Sequence, residues 1–346
     1  MGLTKKIEAV TGIVLGGLAL VAIGITVGPM LQRLGVHHVL AVTEGNATGP
    51  KFNVPAWDYP ASSKAATSSA HPREIPVLAY HQLDNGCAAT ALICNRTGPG
   101  VEILSERQFY DQMSYLHSQG YSTITDAQYV LWARYKAVAL PAKPILLTVD
   151  DGIDNFYAPA TAVLQHFGYN MVSMVVSGFA DGSQQGVRPY ARWDASWTQL
   201  RALNPAIWGT AFHAGAQGHL LFNRMCPYFY PCQLASESAA AYQARISADV
   251  MTGKALLKQE IPSADTQIWT VPWNDLAQTS NQPQSGPGPK AWLQGFAQSH
   301  FPVIFVDAFV SNAQGEHYRF EVHGTQSMAY FIHELTVNTH GGAFNG

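Results

Sequence analysis

The sequence predicts an α/β fold, a distorted (β/α) barrel of about seven strands, preceded by one N-terminal transmembrane helix. Apolar strand-like runs alternate with helical patterns from residue 75 onward, as in α/β proteins. The run PILLTVD at 144–150 is apolar on both faces, which is typical of a parallel strand buried between layers. No glycine-rich nucleotide loop follows a strand, which favours a barrel over a doubly wound sheet.

The composition excludes several classes of protein. The chain has 346 residues, of which 47% are hydrophobic, 11% aromatic and 12% charged, with a formal net charge of −3. A chain with so many large apolar side chains can bury a sizeable core and is not disordered. No run of basic residues supplies a surface that would follow phosphates, so nucleic acid is not an expected partner.

The N-terminal segment 1–35 is predicted to be a membrane anchor. Residues 9–31 carry no charge and, at about 1.5 Å per residue, cross a hydrocarbon layer roughly 30 Å thick. Lys5 and Lys6 precede this stretch and only Arg33 closely follows it, which favours an N-terminus inside the cytoplasm. A cleaved signal peptide is the alternative, but no A-x-A site closes the stretch.

A stalk and one globular domain are predicted after the anchor. Residues 36–74 are rich in Ala, Ser, Thr and Pro and show no periodicity, as expected of a flexible linker. Residues 75–340 would then form a domain outside the cytoplasm, held at the cell membrane as a single-pass protein.

The four cysteines fit an exported domain. Outside the cytoplasm, two close pairs favour the short-loop disulfides Cys87–Cys94 and Cys226–Cys232. The other two pairings stay open. A zinc site of four thiolates is the rival interpretation, but the spacings are looser than usual for such sites.

Helix and strand signals follow one another along the domain. Ser105 with Gln108, Thr125 with Gln128 and Ser196 with Gln199 each have the capping-box spacing that begins a helix. Further helices are predicted over 158–167, 236–259 and 327–335. The seven predicted strands cover 75–80, 144–150, 171–177, 206–212, 267–272, 302–310 and 318–322. In a (β/α) barrel, chemistry is carried out where strands end and the following loops begin.

Two adjacent acids end the most apolar strand, in the run TVDDG at 148–152. An unpaired buried carboxylate is very costly, so Asp150 and Asp151 do not both point into a core. Neighbouring side chains at a strand end diverge, so that one acid can bind a metal while the other faces water or substrate. A solvated turn is the alternative, since Asp-Gly commonly begins loops.

Two histidines, His213 and His219, follow the strand at 206–212. Neutral imidazoles are common ligands of zinc-class metals, and two of them with one aspartate make an open three-ligand site. The small residues between them would let a loop wrap around an ion. Chance pairing among 13 histidines is the alternative.

Together these pieces resemble the polysaccharide deacetylases with a NodB-type domain. The motifs are PVLAYH at 76–81, Phe109 to Tyr121, LTVDDG at 147–152, WTQL at 197–200 and the loop from His213 to His219. The tail, with Phe305 and RFEV at 319–322, is similar to the branch that acts on surface poly-N-acetylglucosamine. The resemblance covers 75–335 and implies a distorted (β/α) barrel, in agreement with the strand count.

The resemblance also implies roles for particular residues. Asp151, His213 and His219 would bind a divalent metal, zinc in the first place and otherwise cobalt or nickel. Asp150 would be the general base that activates water against an acetamide carbonyl. The backbone N–H of Trp273 would stabilise the oxyanion.

The sequence departs from the family pattern in two places: the residue that would be the general acid and the arginine that usually holds the base. No Leu-x-His motif supplies the acid late in the chain, where His340 is the nearest candidate. His81 ends the first strand and either reaches the site or is a core histidine held by a backbone carbonyl. Ala214 replaces the customary Ser or Thr of the histidine loop. Trp269 stands where many members place an arginine that holds the base.

The sequence therefore predicts a membrane-anchored, metal-dependent hydrolase that removes N-acetyl groups from a cell-surface or extracellular N-acetylglucosamine polysaccharide. One alternative is the same chemistry on peptidoglycan or chitin. Another is a non-catalytic glycan-binding domain with a degenerate metal site.

Overall fold

A computed structural model of the chain describes residues 67–68, 74–83, 103–136, 138–182, 194–215, 237–272, 289–306 and 316–339. All of them belong to one compact unit, Val54–Gly346. In these ranges no helix is long and apolar enough to cross a membrane. The predicted anchor and all four cysteines lie outside the described residues, so the anchor and the disulfides stay predictions.

The strands form one large sheet and two small ones. They are β1 (Thr67–Ser68), β2 (Val77–Tyr80), β3 (Gln82–Leu83), β4 (Ile103–Leu104), β5 (Ser122–Thr123), β6 (Leu140–Pro141), β7 (Pro144–Val149), β8 (Met171–Val176), β9 (Trp208–Ala214), β10 (Asp265–Thr270), β11 (Val303–Val306), β12 (Glu316–Tyr318) and β13 (Phe320–Glu321). Eight of them run parallel in the order β12-β11-β10-β9-β8-β7-β2-β13, and β5 adds to β7. β1 pairs with β6, and β3 with β4.

The two ends of the large sheet are consecutive in the chain. β12 pairs with β11 and β13 pairs with β2, and only Arg319 separates them. The backbone N–H of Arg319 donates to the carbonyl of Val306 at 2.8 Å, and that of Val322 to the carbonyl of Ala79 at 2.9 Å. Residues 316–322, which we call the closing segment, thus join both edges and make the sheet a nearly closed barrel.

Helices connect most of the barrel strands. They are α1 (Glu106–Ser118), α2 (Asp126–Tyr135), α3 (Asp154–Phe167), α4 (Ser177–Ala180), α5 (Trp197–Arg201), α6 (Ala239–Glu260), α7 (Pro289–His300) and α8 (Met328–Thr339). The capping boxes at Ser105, Thr125 and Ser196 are confirmed, each with both reciprocal hydrogen bonds. The helix α7 was not predicted, and α3 begins four residues before the predicted start at residue 158.

Apolar side chains fill the barrel, and α2 covers the end where the strands begin. Tyr129, Val130 and Trp132 of α2 share one buried cluster with residues of six barrel strands, namely Val77, Leu146, Val172, Met174, Ala211, Ile268, Val303 and Phe305. Each fully buried side chain of this size contributes roughly 1.5–3 kcal/mol. The Asp126 carboxylate lies against Gly209 at the start of β9. The opposite end, where the strands finish, is left for polar residues.

The distorted barrel is confirmed, and all seven predicted strands are present. The seventh, predicted over 318–322, is divided at Arg319 into β12 and β13, which gives eight strands. The division has a physical reason, because the chain changes its hydrogen-bonding partner there from β11 to β2.

Candidate active site

Three polar residues meet where β2, β7 and β9 end. The Nε2 atom of His81 lies 3.9 Å from Oδ2 of Asp150, and Nε2 of His213 lies 4.0 Å from the same oxygen. The backbone N–H of Asp150 donates to the carbonyl of Tyr80 at 2.8 Å, which fixes the end of β7 beside His81. Parallel strands place their carboxyl ends at one edge, so residues far apart in sequence converge here.

Asp150 is held by a buried arginine. Nη1 and Nη2 of Arg319 each donate to one Asp150 oxygen at 2.7 Å, and Nη1 also donates to Thr148 Oγ1 at 3.2 Å. Arg319 is 0% exposed and Asp150 2%. Burial by itself raises the pKa of the Asp150 carboxyl, but the charge and hydrogen bonds of Arg319 outweigh it, helped by His213 and His81. The pKa therefore lies below its ordinary value, and Asp150 is ionised at neutral pH.

Sequence reasoning missed this arginine. In the sequence, Arg319 is part of the tail motif RFEV, and the family pattern puts the arginine that holds the base at the position of Trp269. Trp269 instead donates its indole N–H to the carbonyl of His213 at 2.9 Å. One signal was available, because an arginine inside a strand-like run such as YRFEV at 318–322 needs a buried partner.

A tight turn brings Asp151 back to the same place. Asp151 has φ +69°, and the N–H of Gly152 donates to the carbonyl of Asp150 at 2.9 Å. These are the marks of a γ-turn with positive φ, which is rare and strained. Asp151 Oδ1 consequently lies 3.4 Å from Nε2 of His213. The two neighbouring acids were predicted to diverge, but this reversal turns both toward one imidazole.

The orientation of His213 suits a cation. Its Nδ1 lies 2.8 Å from the carbonyl oxygen of Thr270, and since a carbonyl only accepts, Nδ1 carries the hydrogen. Nε2 then faces carboxylate oxygens of Asp151 and Asp150 at 3.4 and 4.0 Å. A neutral imidazole would aim its lone pair at negative charge, an arrangement that a cation between them relieves. This donor set fits a divalent metal of the zinc class.

Three predicted site residues, His219, Trp273 and His340, lie outside the described ranges. Within those ranges no group of three or more His, Cys, Asp or Glu could hold a metal ion, and the third predicted ligand is the one outside them. The structure thus brings together Asp150, Asp151, His81 and His213, and it adds Arg319 to them.

Comparison with known proteins finds deacetylases among the proteins that this chain resembles. No family model matches the chain. An alignment of 184 positions, which covers 48% of this chain, is 26% identical to a poly-beta-1,6-N-acetyl-D-glucosamine N-deacetylase of Escherichia coli. The resemblance to the polysaccharide deacetylases is confirmed. The match spans only 27% of that relative's own length.

Solved deacetylase structures share the fold. A de-N-acetylase from Aggregatibacter actinomycetemcomitans superposes with a TM-score of 0.58 and 17% identity, over 75% of this chain and 99% of that one. IcaB from Ammonifex degensii gives a TM-score of 0.52 and 18% identity, over 77% of this chain and 97% of that one. The barrel therefore shares its fold with these solved deacetylases.

Proposed function

We propose that the chain is a metal-dependent N-deacetylase that removes acetyl groups from a cell-surface or extracellular N-acetylglucosamine polysaccharide. The observation that carries this proposal is the buried Asp150 carboxylate, which is paired with Arg319 and lies within 4.0 Å of His81 and His213. Its relative in Escherichia coli, named for poly-beta-1,6-N-acetyl-D-glucosamine, supports that polymer over peptidoglycan or chitin.

Asp150 acts as the general base. Both of its oxygens accept from Arg319, but each carboxylate oxygen has a second lone pair, and Oδ2 faces the two histidines. That oxygen takes the proton of the attacking water as the water oxygen bonds to the acetamide carbon. Such proton transfer typically contributes about 10²–10⁴-fold in rate.

Asp151, His213 and His219 hold the divalent metal, with zinc the first choice. When bound, the metal would lower the pKa of water and polarise the acetamide carbonyl. The hydrogen bond from Nδ1 of His213 to the carbonyl of Thr270 fixes the imidazole with Nε2 toward Asp151, as such bonds commonly orient histidine ligands at metal sites.

His81 acts as the general acid. Its Nε2 lies on the side of Asp150 Oδ2, from where it donates a proton to the departing nitrogen as the C–N bond breaks. Acetate and a free amine are the products. By the family resemblance, the backbone N–H of Trp273 stabilises the negative charge on the carbonyl oxygen.

The cellular arrangement follows from the predicted anchor and cysteines. Residues 1–35 hold the domain at the membrane through the stalk 36–74, and the disulfides Cys87–Cys94 and Cys226–Cys232 form outside the cytoplasm. Mass analysis without reduction of natively exported protein is expected to find both pairs. Free thiols at all four positions would contradict this arrangement.

Two substitutions separate the roles of the adjacent acids. Asp151→Asn replaces a charged metal ligand by a neutral one, so we expect loss of both metal and activity. Asp150→Asn is expected to keep metal and to lose deacetylation by at least about 10²-fold. Metal stoichiometry and acetate release from β-1,6-linked N-acetylglucosamine oligomers are measured side by side.

Two outcomes of the same measurement would contradict the proposal. An Asp150→Asn protein that deacetylates as fast as the unsubstituted protein would remove Asp150 as the base. If the unsubstituted protein binds no divalent metal and releases no acetate from any glycan, the non-catalytic glycan-binding alternative holds.

A further inference from the structure

His213 lies at an irregular point of the parallel sheet. Strands β8 and β9 pair as Val175 with Phe212 and then as Val176 with Ala214. His213 is thus an extra residue of β9 at this step of the pairing. One extra residue makes a β-bulge, which bends a strand locally and re-aims a side chain. The direction of the His213 imidazole therefore depends on what holds the bulge in place.

The neighbouring strand β10 holds His213 at two atoms. The indole N–H of Trp269 donates to the main-chain carbonyl of His213 at 2.9 Å. The carbonyl of the next residue, Thr270, accepts from Nδ1 of the imidazole at 2.8 Å. All three residues are buried. Two consecutive residues of β10 thus hold both the backbone and the ring of His213.

The indole of Trp269 is itself fixed by packing. Its ring centroid lies 5.2 Å from that of Phe301, and it meets the ring of Phe296 edge-on at 6.4 Å. Phe301 also stacks on Phe212, the residue before His213, with ring centroids 6.0 Å apart. A side chain whose own position is locked by packing holds a neighbouring group within narrow limits. The hydrogen bond from Trp269 therefore constrains the backbone at the bulge.

The proposed base does not need an arginine at position 269. Both oxygens of Asp150 accept from Arg319, which stands on the closing segment and not on β10. Trp269 stands where many members of the family place the arginine that holds the base. In this chain the side chain at that position acts instead on the histidine of the adjoining strand β9.

We propose that Trp269 is a positioning residue for His213: its indole N–H bonds to the carbonyl at the bulge and keeps Nε2 directed at Asp151. Nε2 lies 3.4 Å from Oδ1 of Asp151. This inference rests on the proposed function, in which His213 and Asp151 bind the divalent metal. Groups that orient metal ligands commonly change metal affinity by about 10–100-fold, so Trp269 acts on the affinity for the metal.

The test compares two tryptophans that each donate an indole hydrogen bond of 2.9 Å. Trp269→Phe removes the donor to the carbonyl of His213. The matched control Trp208→Phe removes the donor to the hydroxyl of Thr161, and Trp208 begins β9 at the end of the barrel away from the site. The full chains are titrated with Zn²⁺ by calorimetry and with Co²⁺ by visible absorption, which responds to ligand geometry. Melting temperatures are recorded beside them.

The two variants are expected to differ in metal binding and not in stability. Both lose a buried hydrogen bond and a similar volume, so both should melt at lower temperature. Trp269→Phe is expected to raise the Kd for Zn²⁺ about tenfold and to change the spectrum of bound Co²⁺. Trp208→Phe is expected to keep the Kd within about twofold, with the spectrum unchanged.

A milder variant keeps the donor but loosens its packing. Phe296→Leu removes the edge-on ring beside the indole of Trp269 and is expected to raise the Kd for Zn²⁺ less than Trp269→Phe, by about threefold. This variant decides the question if Trp269→Phe does not fold.

Two results would overturn the inference. One is an unchanged Kd for Zn²⁺ in Trp269→Phe, or in Phe296→Leu where that variant decides. The other is an equal rise in Trp269→Phe and Trp208→Phe, which would mean general loosening of the barrel. The proposed function fails separately if the unsubstituted protein binds metal but releases no acetate. An unsubstituted protein that binds no metal would contradict both.

Discussion

Arg319 is the partner of Asp150, the proposed general base. It makes two parallel hydrogen bonds to Asp150 inside the barrel, and a planar guanidinium is the side chain that can do so. Because it also stands between β12 and β13, one residue both marks the closure of the barrel and sets the charge of the active site.

Replacing this arginine is expected to cost stability and to move the pH profile. Arg319→Met leaves a buried carboxylate without its partner, which typically costs roughly 3–5 kcal/mol. Arg319→Lys keeps a charge but loses the paired geometry, so the pKa of Asp150 rises. The acidic limb of kcat/KM then shifts to higher pH. Urea unfolding and a pH–rate profile measure the two effects.

An exposed arginine provides the control for this prediction. Arg107 pairs with Asp111 on the surface of α1, with side chains 59% and 45% exposed. Arg107→Met is expected to change the free energy of unfolding by less than about 0.5 kcal/mol. Equal losses in the two variants would show that Arg319 has no special role.

His317 makes the stability of the protein depend on pH. It is packed among Tyr129, Trp132 and Phe305. Burial, with a smaller contribution from the charge of Lys136, lowers its pKa to about 4. A histidine with a lowered folded-state pKa is neutral in the fold, while the unfolded chain takes up its proton below a pH of about 6.5. Stability is therefore lost as the pH falls from about 6.5 to about 4.

His317→Phe is expected to remove this dependence. Between pH 6.5 and 4.5 the metal-free wild type should lose free energy of unfolding, on the order of 2 kcal/mol, and the variant should lose clearly less. Denaturant unfolding at several pH values measures the difference. Parallel losses in both proteins would assign the effect to groups other than His317.

At the scale of elements, α6 and the end of β9 are in direct backbone contact. A Cβ atom at Gly253 would lie 2.4 Å from the Cα of Gly215, and one at Gly215 would lie 2.2 Å from the carbonyl oxygen of Asp249. Ser177 of α4 donates to the carbonyl of Gly253 at 2.8 Å. Since Gly215 follows His213 by two residues, this contact sets the direction in which the chain leaves the strand that carries a predicted metal ligand.

Alanine is expected to have opposite effects at two helical glycines. Gly253→Ala forces α6 away from β9 and should destabilise the fold by roughly 1–3 kcal/mol, despite the better helix propensity of alanine. Gly295 lies in α7 with nothing within 4 Å of its would-be Cβ. Gly295→Ala should therefore raise the melting temperature, with a gain of up to about 1 kcal/mol. A stabilised Gly253→Ala protein would contradict the close contact.

At the scale of the whole molecule, closure of the barrel depends on the last part of the described chain. Without residues after Val306 the sheet would keep β11 and β2 as open edges, which invite pairing with other chains. Asp150 would also lose Arg319. We expect a chain ending at Val306 to aggregate or to unfold without a cooperative transition, as followed by circular dichroism.

A shorter truncation tests the assignment of the acid. A chain that ends at Thr339, the last residue of α8, lacks His340. Because His81 is the proposed acid, this protein is expected to keep both its melting temperature and its rate of acetate release. A loss of activity of 10²-fold or more with an intact fold would favour His340 instead.

Sequence alone determined most of the order of helices and strands, apart from α7 and the division of the last strand, and it indicated where the candidate site lies. Caps, apolar runs and glycine stops act over a few residues, so the starts at Ser105, Thr125 and Ser196 could be read directly. The acids at the end of β7 stood out because they follow a strand that is apolar on both faces, where an unpaired buried carboxylate is very costly. The histidines His213 and His219 stood out because they follow another predicted strand.

Tertiary structure alone decided how these residues meet. The partner of Asp150 lies 169 positions away, on a segment whose role depends on which strands it joins, and no local pattern encodes that choice. The reversal at Asp151 is likewise a matter of backbone geometry, since the pair Asp-Asp is compatible with divergent side chains. Local propensity acts through neighbours in sequence, whereas Asp150 and Arg319 meet only because closing a barrel brings distant strands together.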